Sequence, residues 1–148
     1  MKYVTGLFVT AVTLLGSMQV QAADAVLFQC VLEDDMSVMV ERNSETDVFT
    51  LTYGHNLNAP TLTIRKAGND LGTSTQLSHE EGTLNRDLYV TDGDKLYDVG
   101  FMDVRGKSFG SFQIMNAGIE ESYQSCKRGT LHSKFDDYEL FSNLTTVD

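Results

Sequence analysis

Apolar side chains recur at every second position along this chain, in short runs cut apart by Gly, Asn and Asp. Val26, Phe28, Cys30 and Leu32 form one such series, with Gln29 on the opposite parity. Met36, Val38 and Val40 alternate with Ser37 and Glu41. Phe49, Leu51 and Tyr53 alternate with Thr50 and Thr52 until Gly54 ends the run, and Leu62 and Ile64 alternate with Thr61, Thr63 and Arg65. Side chains on a strand point to opposite faces in turn, so a period of two buries one face and wets the other. Pro60 is the only proline, which leaves these runs free to donate every backbone N–H to a sheet.

The pattern continues through the second half. Leu84 to Val104 reads as a hairpin turning at Thr91-Asp92-Gly93-Asp94, where Asp-Gly suits the positive φ angles of a type I′ turn. Arg105-Gly106-Lys107 and Asn116-Ala117-Gly118 mark further reversals. In the run Ser108 to Met115, Phe109 falls out of phase with Phe112 and Ile114, which predicts a bulge at Gly110. Ile119 to Cys126 alternates as a last core strand. Short strands at regular spacing predict an all-β fold, a single antiparallel barrel or sandwich of about eight strands. Full closure into a barrel removes free edges, which suits a monomer.

Two regions depart from this scheme. Residues 66–83 are polar and weakly patterned, and read as a long loop with one short strand near Thr75–Leu77. After Cys126, the tail from about residue 127 admits two readings. Ser133 with Asp136 can cap a short helix carrying Phe135, Tyr138 and Phe141 at helical spacing, or the tail packs on the barrel as a closing segment.

The first 22 residues have the layout of a secretory signal peptide: Lys2, an apolar run from Val4 to Leu15, a break at Gly16-Ser17, and a small-residue cleavage site at Val20-Gln21-Ala22. The run is shorter than the roughly 20 residues that a membrane span needs. Residues 23–148 are therefore expected to form one β-barrel-like domain, periplasmic or secreted, with no membrane span. Leu27-Phe28-Gln29-Cys30 has the spacing of a lipid-attachment box, but Phe28 and Gln29 stand where small residues are required, and a better cleavage site lies upstream. With no lipid anchor, Cys30 belongs to the fold. Cys126 is the only other cysteine, and in an oxidising compartment the two are expected to form one structural disulfide. A loop of that size removes unfolded-state entropy worth about 4–5 kcal/mol.

The chain carries 21 acidic and 11 basic residues, for a net charge of −10. Such a balance disfavours nucleic acid and anionic lipid and favours a cationic partner. His55, His79 and His132 lack ligand spacing for zinc, and Asp92-Gly93-Asp94 lacks the further acids of a calcium loop. No Gly-x-Ser-x-Gly and no Gly-rich phosphate loop is present. No cofactor, metal or catalytic role is therefore expected. The candidate interaction residues are Tyr89, Asp92, Asp94 and Tyr97, two tyrosines flanking an acidic turn on one side of the hairpin, a combination suited to a basic protein surface.

Phe28-Gln29-Cys30 on the first strand, Tyr53-Gly54 ending an early strand, a central hairpin and the late Cys126 together resemble small exported bacterial β-domains of unknown function. More remotely the layout is similar to the periplasmic C-type lysozyme inhibitors, over roughly Val26 to Cys126. That resemblance implies an eight-stranded antiparallel barrel and a lysozyme as the cationic partner. The inhibitors' Ser-Gly-x-x-Tyr loop has no counterpart here, so no functional residue carries over. The expected function is a soluble periplasmic binding or inhibitor module. The alternatives are a structural or stress-related cell-envelope protein and an enzyme of unknown reaction.

Overall fold

Nine strands follow one another from Ala25 to Ser125 in a computed structural model that describes residues 24–147. They are β1 (Ala25–Val31), β2 (Ser37–Asn43), β3 (Val48–Gly54), β4 (Leu62–Ala67), β5 (Gly72–Ser78), β6 (Thr83–Asp92), β7 (Lys95–Val104), β8 (Lys107–Asn116) and β9 (Ile119–Ser125). Two short strands complete the chain, β10 (His132–Ser133) and β11 (Thr145–Thr146). The expected signal peptide, residues 1–22, lies outside the described residues. Among the described residues no helix is long and apolar enough to cross a membrane.

The strands form two sheets, ordered β10-β1-β2-β3-β4 and β11-β5-β6-β7-β8-β9. Every pair is antiparallel except β11 with β5. The alternation that marks each strand places Phe28, Val40 and Leu51 of one sheet and Leu88, Val99 and Phe112 of the other in the core between them. The result is a sandwich rather than a closed barrel, because β4 and β5 are joined by a 3-10 turn at Gly68–Asp70 and do not pair. The opposite side is sealed. Leu32 bridges Cys126, Lys127 N donates to Val31 O at 2.7 Å, and Glu33 N donates to Ser125 O at 3.1 Å.

The expected disulfide sits at this seam. Cys30 and Cys126 are bonded, with Cα atoms 5.7 Å apart and a separation of 96 positions in sequence. Gly110 faces the bond. A Cβ on Gly110 would lie 2.6 Å from Cys126 Sγ and 3.0 Å from Phe28 Cζ. Gly110 is thus not the expected bulge: it pairs in register with Phe101, and it is glycine because the disulfide and Phe28 occupy the space of a side chain. The register shift in this region falls at Ile114/Met115, against β9. That strand is a sheet edge and not a core strand, with Ile119 and Tyr123 exposed.

Three further expectations change. The polar stretch 66–83 is mostly strand, since β5 pairs with β6 along all seven of its residues. Its only buried residue is Thr73, whose hydroxyl donates to Asp87 O at 2.8 Å, so it shows no apolar alternation. The β6–β7 loop is Gly93-Asp94, closed by the Asp92–Lys95 pair, and only Gly93 has positive φ. A type II′ turn has this pattern, whereas type I′ needs positive φ at both positions. In β1 a shift between Val26 and Phe28 turns both Leu27 and Phe28 into the core.

The tail is a closing segment with one 3-10 turn, Tyr138–Phe141, capped by Asp137 and not by Ser133. Phe135, Phe141 and Leu144 enter the core, while Tyr138 points outward. Arg86 holds the segment from beneath. Its side chain is buried, and its guanidinium donates to the carbonyls of Phe135 and Asp137, to the latter at 3.2 Å. It also donates to Thr75 Oγ1 at 3.1 Å and lies 5.0 Å from the centre of the Phe141 ring. From the other sheet, Arg42 donates to Leu140 O at 3.1 Å.

Arg86→Met keeps the bulk but removes every donor, leaving two carbonyls and a hydroxyl unpaired. It is expected to cost about 2–4 kcal/mol of unfolding free energy, with Arg86→Lys in between, measured by chemical denaturation. Replacing both cysteines by alanine is expected to cost about 4–5 kcal/mol, read as a lowered guanidinium midpoint.

Candidate functional site

The face of the six-stranded sheet that points away from the core carries most of the polar chemistry. Cross-strand partners share a face. Tyr89, Asp98, Gln113 and Tyr123 form one row across β6 to β9. Ser74, Asp87, Gly100, Ser111 and Ser125 form the next, and Gln76, Asn85, Met102 and Phe109 the one after. These are the off-parity positions of strands whose other residues, such as Val90, Val99 and Phe101, fill the core.

A cleft of about 960 Å3 opens over the second and third rows. Its floor is Gly100. A Cβ there would lie 2.5 Å from Ser111 Oγ and 3.1 Å from Asp87 Oδ1, so the glycine lets both side chains lean over the strand. Met102, Phe109 and Tyr123 stand around it as an apolar collar, the last two more than half exposed. Lys107, Lys127 and Arg128 line the cleft as well.

Asp87 and Asp98 are the acids of this face. Asp87 Oδ2 accepts from Ser74 Oγ at 2.9 Å, and that hydroxyl is 3.3 Å from Tyr89 Oη. Asp98 Oδ1 and Asn85 Oδ1 are buried and accept from no described residue. None of the ion pairs among the described residues involves Asp87 or Asp98. Burial pushes the Asp98 carboxyl up to about 7, and the charge of Asp87 adds to the effect. Burial also raises Asp87, against the opposing hydrogen bonds from Ser74 and Tyr89. Asp87 lines the cleft and Asp98 lies beside it in the neighbouring row, so the two acids adjoin a cleft whose lining also holds Lys107, Lys127 and Arg128.

The residues expected from the hairpin do not form one patch. Tyr89 is on the outer face beside Asp98. Tyr97 pairs with Val90 on the core face, is 6 % exposed, and stacks on Phe112 with ring centres 6.3 Å apart. Asp92 and Asp94 are exposed at the hairpin tip, where Asp92 Oδ1 lies 3.8 Å from Lys66 Nζ of the other sheet. Asp87, Asp98, Asn85 and Gly100 were not expected. Their signal in the sequence is the polar half of the alternation, Asn85-x-Asp87-x-Tyr89 and Asp98-x-Gly100-x-Met102, with a glycine in mid-strand. Among the described residues no group of three or more His, Cys, Asp or Glu could hold a metal ion. His132 lines a separate recess of about 500 Å3 with Asp103 and Asp136.

An acid with a raised native pKa is destabilising once the unfolded chain has lost its proton. Between about pH 4 and pH 7 the native state binds the extra proton, so stability falls with rising pH across that window and then levels off. Asp98→Asn removes this dependence. The variant is expected to match the parent near pH 4 and to exceed it at pH 8, by up to about 4 kcal/mol, read from denaturation midpoints across that range. No family model matches the chain, and no curated protein or solved structure is significantly similar to it.

Proposed function

We propose that this protein is an exported, non-catalytic binding module of the periplasm or extracellular space, which docks a cationic protein on the outer face of its six-stranded sheet. One observation carries the reading: Asp87 and Asp98 are neighbouring acids on this face that form no ion pair among the described residues, on a chain of net charge −10. Unlike charges steer partners together and penalise wrong ones. The collar of Met102, Phe109 and Tyr123 supports the same reading, because aromatic residues and methionine are enriched in protein interfaces. The Cys30–Cys126 bond supports an oxidising compartment. Lysozyme inhibition is the sharpest version, since lysozymes act where an exported protein would meet them and many are strongly basic.

A cell-lysis assay with several lysozyme types, with the full chain at micromolar concentration, tests that version. Inhibition of at least one type is expected, with an affinity that falls about tenfold or more between 50 and 300 mM salt. No inhibition and no calorimetric binding to any of them removes lysozyme as the partner. Equal binding to basic and acidic proteins of similar size removes the cationic-partner reading altogether.

A further inference from the structure

The sandwich leaves strand edges uncovered, and they are not alike. In the six-stranded sheet, β11 covers only the start of β5, pairing at Gly72 and Thr73. Val147 N donates to Thr73 O at 2.9 Å, so Thr73 turns its main-chain groups away from β6. Main-chain direction alternates along a paired strand. Thr75 and Leu77 therefore turn their N–H and C=O groups to the open edge, while Ser74 and Gln76 turn theirs to β6. No hydrogen bond among the described residues reaches the main chain of Thr75 or Leu77 on that edge. Thr75, Gln76 and Leu77 are exposed, Leu77 to 59 %. Leu77 has the parity of the core, opposite Leu84 of β6, yet no strand covers its other side.

An open edge is a template for another strand, and folded proteins commonly guard it with charge, proline or a bulge. The other long edges are guarded. β4 carries Arg65 and Lys66, and β9 carries Glu120 and Glu121 beside a register shift. β5 has none of these devices: it reads Gly-Thr-Ser-Thr-Gln-Leu-Ser and pairs with β6 without a shift. The distinction selects the partner. Like charges set opposite one another destabilise a strand pair, so β4 or β9 is repelled by its own copy. β5 meets its own copy with no charge on either side.

We propose that the open edge of β5 pairs antiparallel with β5 of a second copy of this chain, in a two-fold dimer that joins two six-stranded sheets edge to edge. β11 occupies the Gly72 end, so the second copy takes the Ser78 end, with the two-fold axis at Leu77. Leu77 then faces Leu77 of the second copy and exchanges both main-chain bonds with it, and Gln76 faces Ser78. The two leucines cover each other on the core side of the joined sheet. A contact between identical patches closes on itself, so assembly stops at two. The dimer uses the edge of the sheet and leaves its outer face open, so it does not depend on the docking of a cationic protein. Its salt dependence is also the reverse. The chain has net charge −10, and Glu80 and Glu81 follow β5 in the turn to β6, so repulsion opposes the dimer and salt strengthens it.

Sedimentation equilibrium and hydrogen exchange on the full, disulfide-bonded chain test this. The contact spans about five residues and falls below the roughly 1,200 Å2 of stable complexes, so a reversible dimer is expected with a dissociation constant of about 100 µM. Raising salt from about 50 to 300 mM is expected to lower that constant about threefold or more. Leu77→Lys sets like charges face to face and is expected to weaken the dimer about tenfold or more, although it lowers the net negative charge. Leu77→Pro removes an N–H that points away from β6, so the ladder survives and the dimer is lost. Ile119→Lys, at an exposed position on the β9 edge, is expected to change nothing. The Gln76 amide is expected to be protected at every concentration, whereas the Leu77 amide exchanges freely in dilute solution and slows as the dimer forms. A chain still monomeric at about 1 mM in high salt, a dimer that survives both Leu77 variants, a dimer lost in Ile119→Lys, a Leu77 amide indifferent to concentration, or assemblies larger than two copies would each overturn the proposal.

Discussion

A single buried guanidinium organises the end of this sandwich. Arg86 projects from the middle of β6 into a core whose other buried polar residues, among those described, are Thr52 and Thr73, and it spends its donors on main-chain carbonyls of the tail rather than on a carboxylate. A charge in that position is tolerable only if every donor is satisfied and the ring of Phe141 covers its face. The tail is therefore not an appendage. It delivers Phe135, Phe141 and Leu144 to the core, and Arg42 ties it to the other sheet through Leu140 O. This matters because β4 and β5 share no ladder. Backbone pairing holds the sheets together at the Cys126 side, and the tail bridges them elsewhere by pairing β10 with β1 and β11 with β5 and by its side chains in the core.

The same alternation that builds the core also builds the outer face, and the two are not equally readable. A run such as Leu88-x-Val90 announces itself because apolar residues stand out in a chain with 21 acids. Asp87 and Asp98 do not stand out, since their significance comes from register, which sets them as diagonal neighbours with no ion-pair partner among the described residues. The parity of the hairpin tyrosines was open to arithmetic. With the turn closed by Asp92 and Lys95, Tyr89 stands three residues before the closing pair and Tyr97 two after, so they face opposite ways.

Other misreadings have physical causes of the same kind. β5 is built from Ser, Thr and Gln with one buried position, so it lacks the contrast on which periodicity depends, yet its backbone pairs along its whole length. Gly110 carried a true signal, a glycine in mid-strand, that has two explanations. Only the position of Cys126 Sγ distinguishes a close approach from a bulge. The Phe135, Tyr138 and Phe141 spacing suggested one helical face, but a single 3-10 turn with its cap at Asp137 puts the middle ring outside. The strands and the disulfide were legible because they rest on local pattern and on cysteine count. The cleft and its neighbouring acids were not, because they are made by register.

The covalent loop from Cys30 to Cys126 has a consequence for the order in which the molecule can be made. Its first cysteine lies in the first strand and its second lies just beyond the ninth. A chain made from its N-terminus presents Cys30 early and holds that thiol without its mate while 96 further residues follow. No earlier cysteine exists to mispair with it. The bond thus cannot guide the first hairpins. It closes only after all nine strands of the meander exist, and the tail that Arg86 holds is the one segment outside the loop on its C-terminal side.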